Sequence, residues 1–427
     1  MDSCVMLPSR VTVSANMSAK AVLLVGGAQK GTRFRPLSLG LPKPLFPVAG
    51  LPLIEHHIEQ LCECKALTEI LLLGFYPSEE FTHFIECAKK KYGIHIEYLE
   101  ENAPSGTAGG LLRFRDRILQ PTKGKETEYV FVLNADICGD LPITDLLDEI
   151  KRQPDAEAVL LTTEATRDQA SNFGCLVVDP KSKKVLHYVE KPSTFVSITI
   201  SCGIFILRPN FWPNQLERAE AEAGGNGTLW YETDVFPQMA SDGKLYALHT
   251  TRWWSQTKTP AGALYANGHY LRLYRVKCPE RLAKSSPQII GDVFIDPTAV
   301  VDPTAKIGPN VSIGAGAVIG AGVRVRESII LPECVLEEHC CVLHAVVGWR
   351  SILEPWTRVE GTPIAPNPNV PFAKLDNKPL FNGDGRLNPS LTILGSNVRV
   401  LRELVILNTV VLPYKELSTS KHNQIIL

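Results

Sequence analysis

The chain has 427 residues and 44% hydrophobic content, enough to bury a sizeable core and long for a single one, so two domains are expected. Its 44 basic and 45 acidic residues leave a net charge of −1, which gives no electrostatic case for a nucleic-acid or membrane partner and requires any cation cluster to be local. The eleven cysteines are scattered without CxxC pairs or zinc-ligand spacing, and Cys340 and Cys341 are adjacent, a usage that fits a reducing compartment.

Residues 1–18 lack both a basic leader and a continuous apolar run, and no stretch reaches the roughly 18–20 apolar residues of a membrane span. A flexible N-terminal extension on a cytoplasmic protein is expected. From residue 19 to about 280, short apolar runs alternate with amphipathic segments. Strands are predicted over 21–25, 69–75, 94–99, 129–133 and 157–163, and helices over 51–64, 78–92 and 107–119. This alternation reads as an α/β domain with a mainly parallel sheet covered on both faces. The stretch 173–191, opening near Gly174, reads instead as a hairpin turning at Asp179-Pro180, which would make the sheet mixed.

From about 285 to 427 the pattern becomes a repeat of six. Ile289, Ile295, Val301, Ile307, Ile313, Ile319, Val325 and Leu331 fall six apart, and Val293, Ala299, Ala305, Val311, Ala317, Val323, Ile329 and Val335 follow each by four. Such units form the faces of a triangular coil, the first aliphatic filling the bore and the fifth position the corner, with Gly308, Gly314 and Gly320 at turns; the prediction is a parallel β-helix. The register weakens at Glu337, resumes at Leu343 and Trp349, and breaks over a proline-rich excursion at 361–390 flanked by Trp349, Trp356 and Pro363.

The residues that would carry chemistry begin at Gly26-Gly27, just past the apolar run Ala21–Val25, and continue through Gly31-Thr32-Arg33-Phe34-Arg35 to Pro42-Lys43-Pro44-Leu45. Glycines let backbone N–H groups face an anion, and Arg33, Arg35 and Lys43 add fixed positive charge. Lys30 precedes the glycine and no Lys-Ser/Thr pair follows it, so this is not a Walker A loop. Asn134-Ala135-Asp136 closes the fourth strand, where a carboxylate could hold Mg²⁺ on nucleotide phosphates; Asp140 is the better candidate for capping the next helix. Pro104-Ser105-Gly106-Thr107-Ala108-Gly109 opens a helix with N–H groups expected to be free for a base or phosphate. Glu190-Lys191-Pro192 pairs an acceptor with a cation at the end of the hairpin, and reads equally as an exposed ion pair.

Together these motifs and the hexapeptide tail resemble the sugar-1-phosphate nucleotidyltransferases, and among them the GDP-mannose pyrophosphorylases (mannose-1-phosphate guanylyltransferases), over nearly everything from residue 20 to 427. The resemblance implies a Rossmann-like nucleotidyltransferase domain followed by a left-handed β-helix. It implies that Arg33 and Lys43 contact the α-phosphate and that Asp136 binds the metal. Gly26, Gly27, Gly31 and Thr32 would cradle phosphates, Gly106, Thr107 and Ala108 would lie near the base, and Asn134, Gly174, Glu190 and Lys191 near the sugar.

Three departures stand out. Ala28-Gln29-Lys30 occupy a gap that catalytic members fill with one residue. Where a second metal-binding aspartate is expected, in a Trp-x-Asp-x-Gly context, the chain reads Trp254-Ser255-Gln256-Thr257-Lys258, a neutral oxygen and then a cation. The excursion and the ending Asn423-Gln424-Ile425-Ile426-Leu427 resemble the alpha, regulatory subunits of the family. Ser201 also stands where the family usually has asparagine. The resemblance thus implies a subunit that binds GDP-mannose, with vestigial chemistry at Arg33 and Lys43, in homo- and hetero-oligomers with a catalytic beta subunit on which it feeds back. The rival is an active guanylyltransferase using Mg²⁺, with Asp136 as sole carboxylate. A hexapeptide-repeat acyltransferase based on His339 or His344 is the third reading.

Overall fold

The computed structural model describes residues 18–27, 32–102, 105–224, 228–362 and 391–427. The first domain is built on β1 (Ala19–Gly26), β2 (Leu67–Gly74), β3 (His95–Glu100) and β4 (Tyr129–Asn134), joined by α1 (Leu53–Cys62), α2 (Glu79–Tyr92), α3 (Gly106–Arg113) and α4 (Arg115–Leu119). After β4 come the short β5 (Ile137–Gly139), α5 (Ile143–Arg152) and β6 (Ala158–Glu164), then the hairpin β7 (Gly174–Val178) and β8 (Val185–Glu190). They are followed by β9 (Thr199–Leu207), β10 (Leu245–His249), β11 (Trp254–Gln256) and α6 (Pro260–Lys277). The nine-stranded sheet runs β8-β7-β9-β4-β1-β2-β3, with β6 between β9 and β10 off this path. β1 is parallel to β2 and β4, whereas β9 is antiparallel to β4, β6 and β7, so the sheet is mixed.

Strand pleating sends successive side chains to opposite faces, which explains the unbroken apolar run of β1. Ala21 and Leu23 join the cluster under α1, α2 and α5, while Val22 joins Leu111, Val132 and Trp212 on the other face. The hairpin turns where expected: the Asp179 carboxylate accepts from the Ser182 N–H and its carbonyl from the Lys183 N–H. Asp140 does not cap a helix; α5 starts after Pro142, and Asp140 pairs with Lys277 at 2.8 Å.

The second domain is a three-sheet parallel β-helix, an arrangement consistent with the left-handed form. Val293 stacks on Val311, a step of 18 residues, but Ile313 stacks on Ile330 and Ile330 on Val347, steps of 17. One corner loses a residue from Val325 onward. The bore residues are therefore Ile330, Leu336, Val342, Val347, Leu353 and Val359, and the small corner positions include Ser328, Cys334, Cys340 and Ala345. The six-fold register is corrected accordingly: Leu331 and Ile329 face outward into the seam between the domains, as does Trp349, and Val335 and Leu343 are only partly buried. Gly316 and Gly322, with φ of +64° and +66°, occupy left-handed corner positions, as does Gly308 at +108°, whereas Gly314 and Gly320 do not. Within the excursion, residues 363–390, Pro363 among them, lie outside the described residues. It departs at the shortened corner, where the Thr362 N–H donates to Asn408 Oδ1 at 2.8 Å, and Leu391 re-enters buried in the seam. Trp349 shares that seam, while Trp356 lies at another corner.

The seam is filled by Phe34, Phe46, Val48 and Leu53 from the first domain, by α6, and by Ile329, Leu331, Val346 and Ile393 from the β-helix. Asn267 of α6, fully buried, accepts from the Ala49 N–H and the Ser312 hydroxyl, each at 2.8 Å, and donates to the Asn310 carbonyl at 3.3 Å. Replacing it by alanine strands buried partners on both domains. Asn267→Ala should therefore cost about 2–4 kcal/mol in chemical denaturation and begin to separate the unfolding of the domains. His56 and His57 in α1 are buried, their Nε2–H groups donating to the Val48 and Ile137 carbonyls. Burial lowers both from 6.5 to about 4. Below pH 6.5 the unfolded chain binds protons that the folded rings refuse until about pH 4, so stability falls as pH drops through that window. A loss of about 2 kcal/mol per ring between pH 7 and 5 is expected from denaturation at the two pH values.

Candidate functional site

The carboxyl ends of β1, β2 and β4 converge on one cleft, where α/β sheets bind ligands. Gly26 ends β1 at φ +70°, and its carbonyl accepts from the Phe75 N–H at 2.8 Å. A Cβ on Gly27 would come within 2.9 Å of Phe75 Cβ, so the chain can pass there only as glycine. Ala28, Gln29, Lys30 and Gly31, the lengthened part of the loop, lie outside the described residues. Thr32 and Arg33 follow, exposed, on a single turn whose Phe34 is fully buried. Phe34 packs on Phe46 at 5.0 Å between ring centroids, and Phe46 on Trp349 of the β-helix at 5.9 Å. The turn Lys43–Leu45 is anchored the same way, with Pro44 and Leu45 buried and Lys43 directed inward. Arg33 and Lys43 are thus held by one apolar stack that crosses the seam.

Lys43 Nζ lies 3.4 Å from Asp136 Oδ2. Asp136 stands just past Asn134, the last residue of β4, and the Ala135 N–H donates to the Leu24 carbonyl. The ribbon of β5 and β11 places Gln256 opposite Ile137, and the Thr257 N–H donates to the Asp136 carbonyl at 2.7 Å. Gln256 and Lys258 are therefore carried beside Asp136 by backbone pairing. Burial alone would raise the Asp136 carboxyl, but Lys43 and Lys258 outweigh it and hold the carboxyl below its ordinary value. Burial lowers the Lys258 ammonium; Asp136 opposes that shift, and Arg33, Lys191 and Lys43 reinforce it. Lys258 Nζ sits 5.5 Å from the centre of the Phe173 ring.

These residues do not suit a divalent ion. Hard cations of the Mg²⁺ type want anionic oxygens, and the one carboxylate is engaged with Lys43. Gln256 Oε1 is buried with no hydrogen-bond partner among the described residues, but it is neutral, and Lys258 brings like charge to the same place. The expectation that Asp136 binds Mg²⁺ has no second anionic donor to support it among the described residues around that carboxylate.

Glu190 ends β8 and Lys191 follows it, their charged groups 2.7 Å apart, with Lys191 exposed and Glu190 mostly shielded. The Tyr188 hydroxyl donates to Glu190 Oε2 at 3.2 Å. Gly174 lies against both, since a Cβ there would come within 2.1 Å of Tyr188 Oη and 2.8 Å of Glu190 Oε2. Gly203, φ +70°, lets Asn134 Nδ2 approach to 2.7 Å of where its Cβ would be, and the Ser201 hydroxyl accepts from the Gly203 N–H. One carboxyl escaped the sequence reading. Glu232 accepts from the Thr107 hydroxyl at 2.7 Å, and burial, with Glu190 adding to it, raises its titration. No motif flags it; only its place among Trp230 and Tyr231 hints at burial.

The start of α3 differs from expectation. Gly106, at φ +83°, lies so close to Leu229 that a Cβ would be 2.1 Å from the Leu229 carbonyl oxygen, and that oxygen accepts from the Ala108 and Gly109 N–H groups. These amides are not free for a phosphate. Gly106 and Ala108 are buried, and the Thr107 hydroxyl faces Glu232, so within this segment it is the Ala108 and Gly109 amides that are withdrawn from a ligand. On the β-helix, His339 stacks on Trp356 at 4.3 Å, and His344 occupies a left-handed corner at φ +47°, which are structural placements for both.

Residues 20–271 match the model of the nucleotidyl transferase family, and residues 289–426 match that of the GMPPB C-terminal domain. Two proteins named mannose-1-phosphate guanylyltransferase regulatory subunit alpha, from Rattus norvegicus and Homo sapiens, are each 52% identical to the chain, and each alignment covers 96% of it and 100% of the relative. The alpha-A regulatory subunit of Danio rerio is 50% identical over the same shares. A putative glucose-1-phosphate thymidylyltransferase from Bacillus anthracis superposes with a TM-score of 0.50 at 20% identity, over 59% of this chain and 95% of its own, a likeness of fold. With both halves matched and full-length relatives at half identity, the chain belongs to the nucleotidyl transferase family, in its mannose-1-phosphate guanylyltransferase branch.

Proposed function

We propose that the chain is a regulatory subunit that binds GDP-mannose in this cleft, acts in GDP-mannose biosynthesis for glycosylation, and modulates a catalytic beta subunit with which it assembles. The observation that carries the reading is the pairing of Gln256 with Ile137, which puts a neutral amide beside Asp136 where in-line phosphoryl transfer would need a second anionic metal ligand. Phosphoryl transfer depends on positioning and charge stabilisation, so a site that keeps its cations and loses a carboxylate can hold a phosphorylated ligand while turning it over poorly. Glu190 and Lys191, with Tyr188 behind them, supply acceptors and a donor suited to sugar hydroxyls and a phosphate. The names of the close relatives support the regulatory role and the existence of a catalytic partner.

Arg33 and Lys43 then serve as phosphate contacts and not as catalysts. The excursion at 361–390 is assigned as the element that reports ligand to the partner. Thr362, its last described residue, is tied to Asn408, and Leu391, the first residue after it, to the seam that also supports Phe34 and Phe46. Among the described residues no helix is long and apolar enough to cross a membrane.

The purified chain supplied with GTP, mannose 1-phosphate and Mg²⁺ should release pyrophosphate at least ~10²-fold more slowly than a working pyrophosphorylase, the scale of one lost electrostatic contact. Comparable rates would make it an enzyme. The double change Gln256→Asp with Lys258→Gly is the matching gain test. Calorimetry should show GDP-mannose preferred over GDP-glucose and UDP-glucose; no heat, or no preference, removes the sensor role. Deleting 363–390 should leave that affinity intact and abolish GDP-mannose-dependent modulation of the catalytic subunit in the assembled complex.

A further inference from the structure

The cleft collects positive charge in a way that phosphate contacts alone do not require. Arg33 and Lys43 come from the loop after β1, Lys191 from the end of the hairpin, and Lys258 from the residue that follows Thr257. The Arg33, Lys191 and Lys43 charges all reach Lys258, and Asp136 is the anion that acts on it. The Asp136 carboxylate is already within 3.4 Å of Lys43, and the Lys191 ammonium is 2.7 Å from Glu190. Lys258 has no ion-pair partner within 4 Å among the described residues, and it is held over Phe173 and pinned in sequence to the hydrogen bond from Thr257 to Asp136. A partly buried ammonium with like charges around it is unfavourable until an anion arrives.

Resting on the ligand reading above, we infer that Lys258 occupies the charge position of a divalent ion, so that the chain binds a nucleoside-diphosphate sugar without metal, its ammonium neutralising the diphosphate. The geometry gives three reasons. The backbone pairing of β11 with β5 carries Gln256 next to Asp136, and the bond from the Thr257 N–H to the Asp136 carbonyl brings Lys258 after it. The donor set lacks the anionic oxygens that would select Mg²⁺ over the lysine already present. The diphosphate of a nucleotide sugar carries two negative charges, fewer than a triphosphate, and the four cations, two of them already paired, can offset those charges without a further ion. A lysine at this position also disfavours catalysis independently of Gln256, because a fixed ammonium cannot bridge the oxygens of an incoming triphosphate as a metal does.

The test uses the full-length chain, GDP-mannose as probe, and calorimetry in EDTA and in millimolar Mg²⁺. The expected result is the same Kd in both, within about twofold. A Kd at least tenfold tighter in Mg²⁺ would overturn the inference while leaving GDP-mannose recognition standing. Absence of binding in both would overturn the ligand reading and this inference with it. Lys258→Met should weaken binding in EDTA by about tenfold or more, as loss of a charge-assisted contact does, and an unchanged Kd in that variant, with an unaltered melting temperature, would also overturn it. The wild-type comparison needs no substitution, so misfolding of the variant does not blunt the test. As an independent readout, Mn²⁺ added to the chain with GDP-mannose should keep the electron paramagnetic resonance signal of Mn²⁺ mixed with GDP-mannose alone; a further protein-dependent loss of that signal counts against the proposal.

Discussion

Everything in the ligand cleft depends on an apolar seam between two unlike domains. Phe34 and Phe46, the anchors of the turns that carry Arg33 and Lys43, are buried against each other and against Trp349 of the β-helix. Helix α6 fills the rest, stacking Tyr270 on His56 at 3.7 Å between ring centroids, while the Tyr270 hydroxyl accepts from the Gly139 N–H at 3.2 Å. Apolar burial supplies adhesion without direction, and the direction comes from Asn267, whose amide joins Ala49, Asn310 and Ser312. The close approach at Gly50, where a Cβ would meet the Phe294 ring at 2.3 Å, leaves no slack for sliding.

That construction makes the cleft a joint property of both domains. The ribbon bearing Gln256 rests on α6 through Cys138, whose thiol lies 2.8 Å from the Thr257 hydroxyl, and Cys138 belongs to the seam. The excursion returns to the β-helix at Leu391 in the same apolar cluster. A change of packing at the seam would therefore be felt at Lys43, Asp136 and Lys258, a physical connection through packed side chains between cleft and solenoid. Electrostatics within the cleft then decide its use. Asp136 is paired with Lys43 and Glu190 with Lys191, while Arg33 and Lys258 add further positive charge, so the phosphate end of the site favours an anionic ligand over a cation.

The β-helix shows how a small change of period carries consequences. Dropping one residue at a single corner after Val325 turns a coil of 18 into one of 17, keeps the bore filled, and rotates what lies outside it. Leu331 and Trp349 thereby face the seam and not the bore. The corner rows also explain residues that look anomalous in isolation: Glu327, His339, His344, Arg350 and Trp356 all hold positive φ at the bends, and Cys334 and Cys340 are buried because small side chains are needed beside the bore.

The sequence by itself determined seven of the nine strands of the first sheet, the hairpin at Asp179-Pro180 and the existence of a coiled solenoid, because these rest on local periodicity and on turn residues that act within a few positions, whereas β9 and β10 went unpredicted. It also singled out Arg33, Lys43, Asp136, Gln256 and Lys258 by motif and by departure from motif. Helix α6 was invisible because it is buried on two sides and shows no polar face to mark its period. The occupied amides of Ala108 and Gly109 depend on Leu229, the burial of Glu232 on Thr107, and the shift of coil on a missing residue that apolar spacing conceals. Only tertiary structure decides these, since each is a contact between segments distant in the chain, and a residue's chemistry follows from the neighbours that folding supplies.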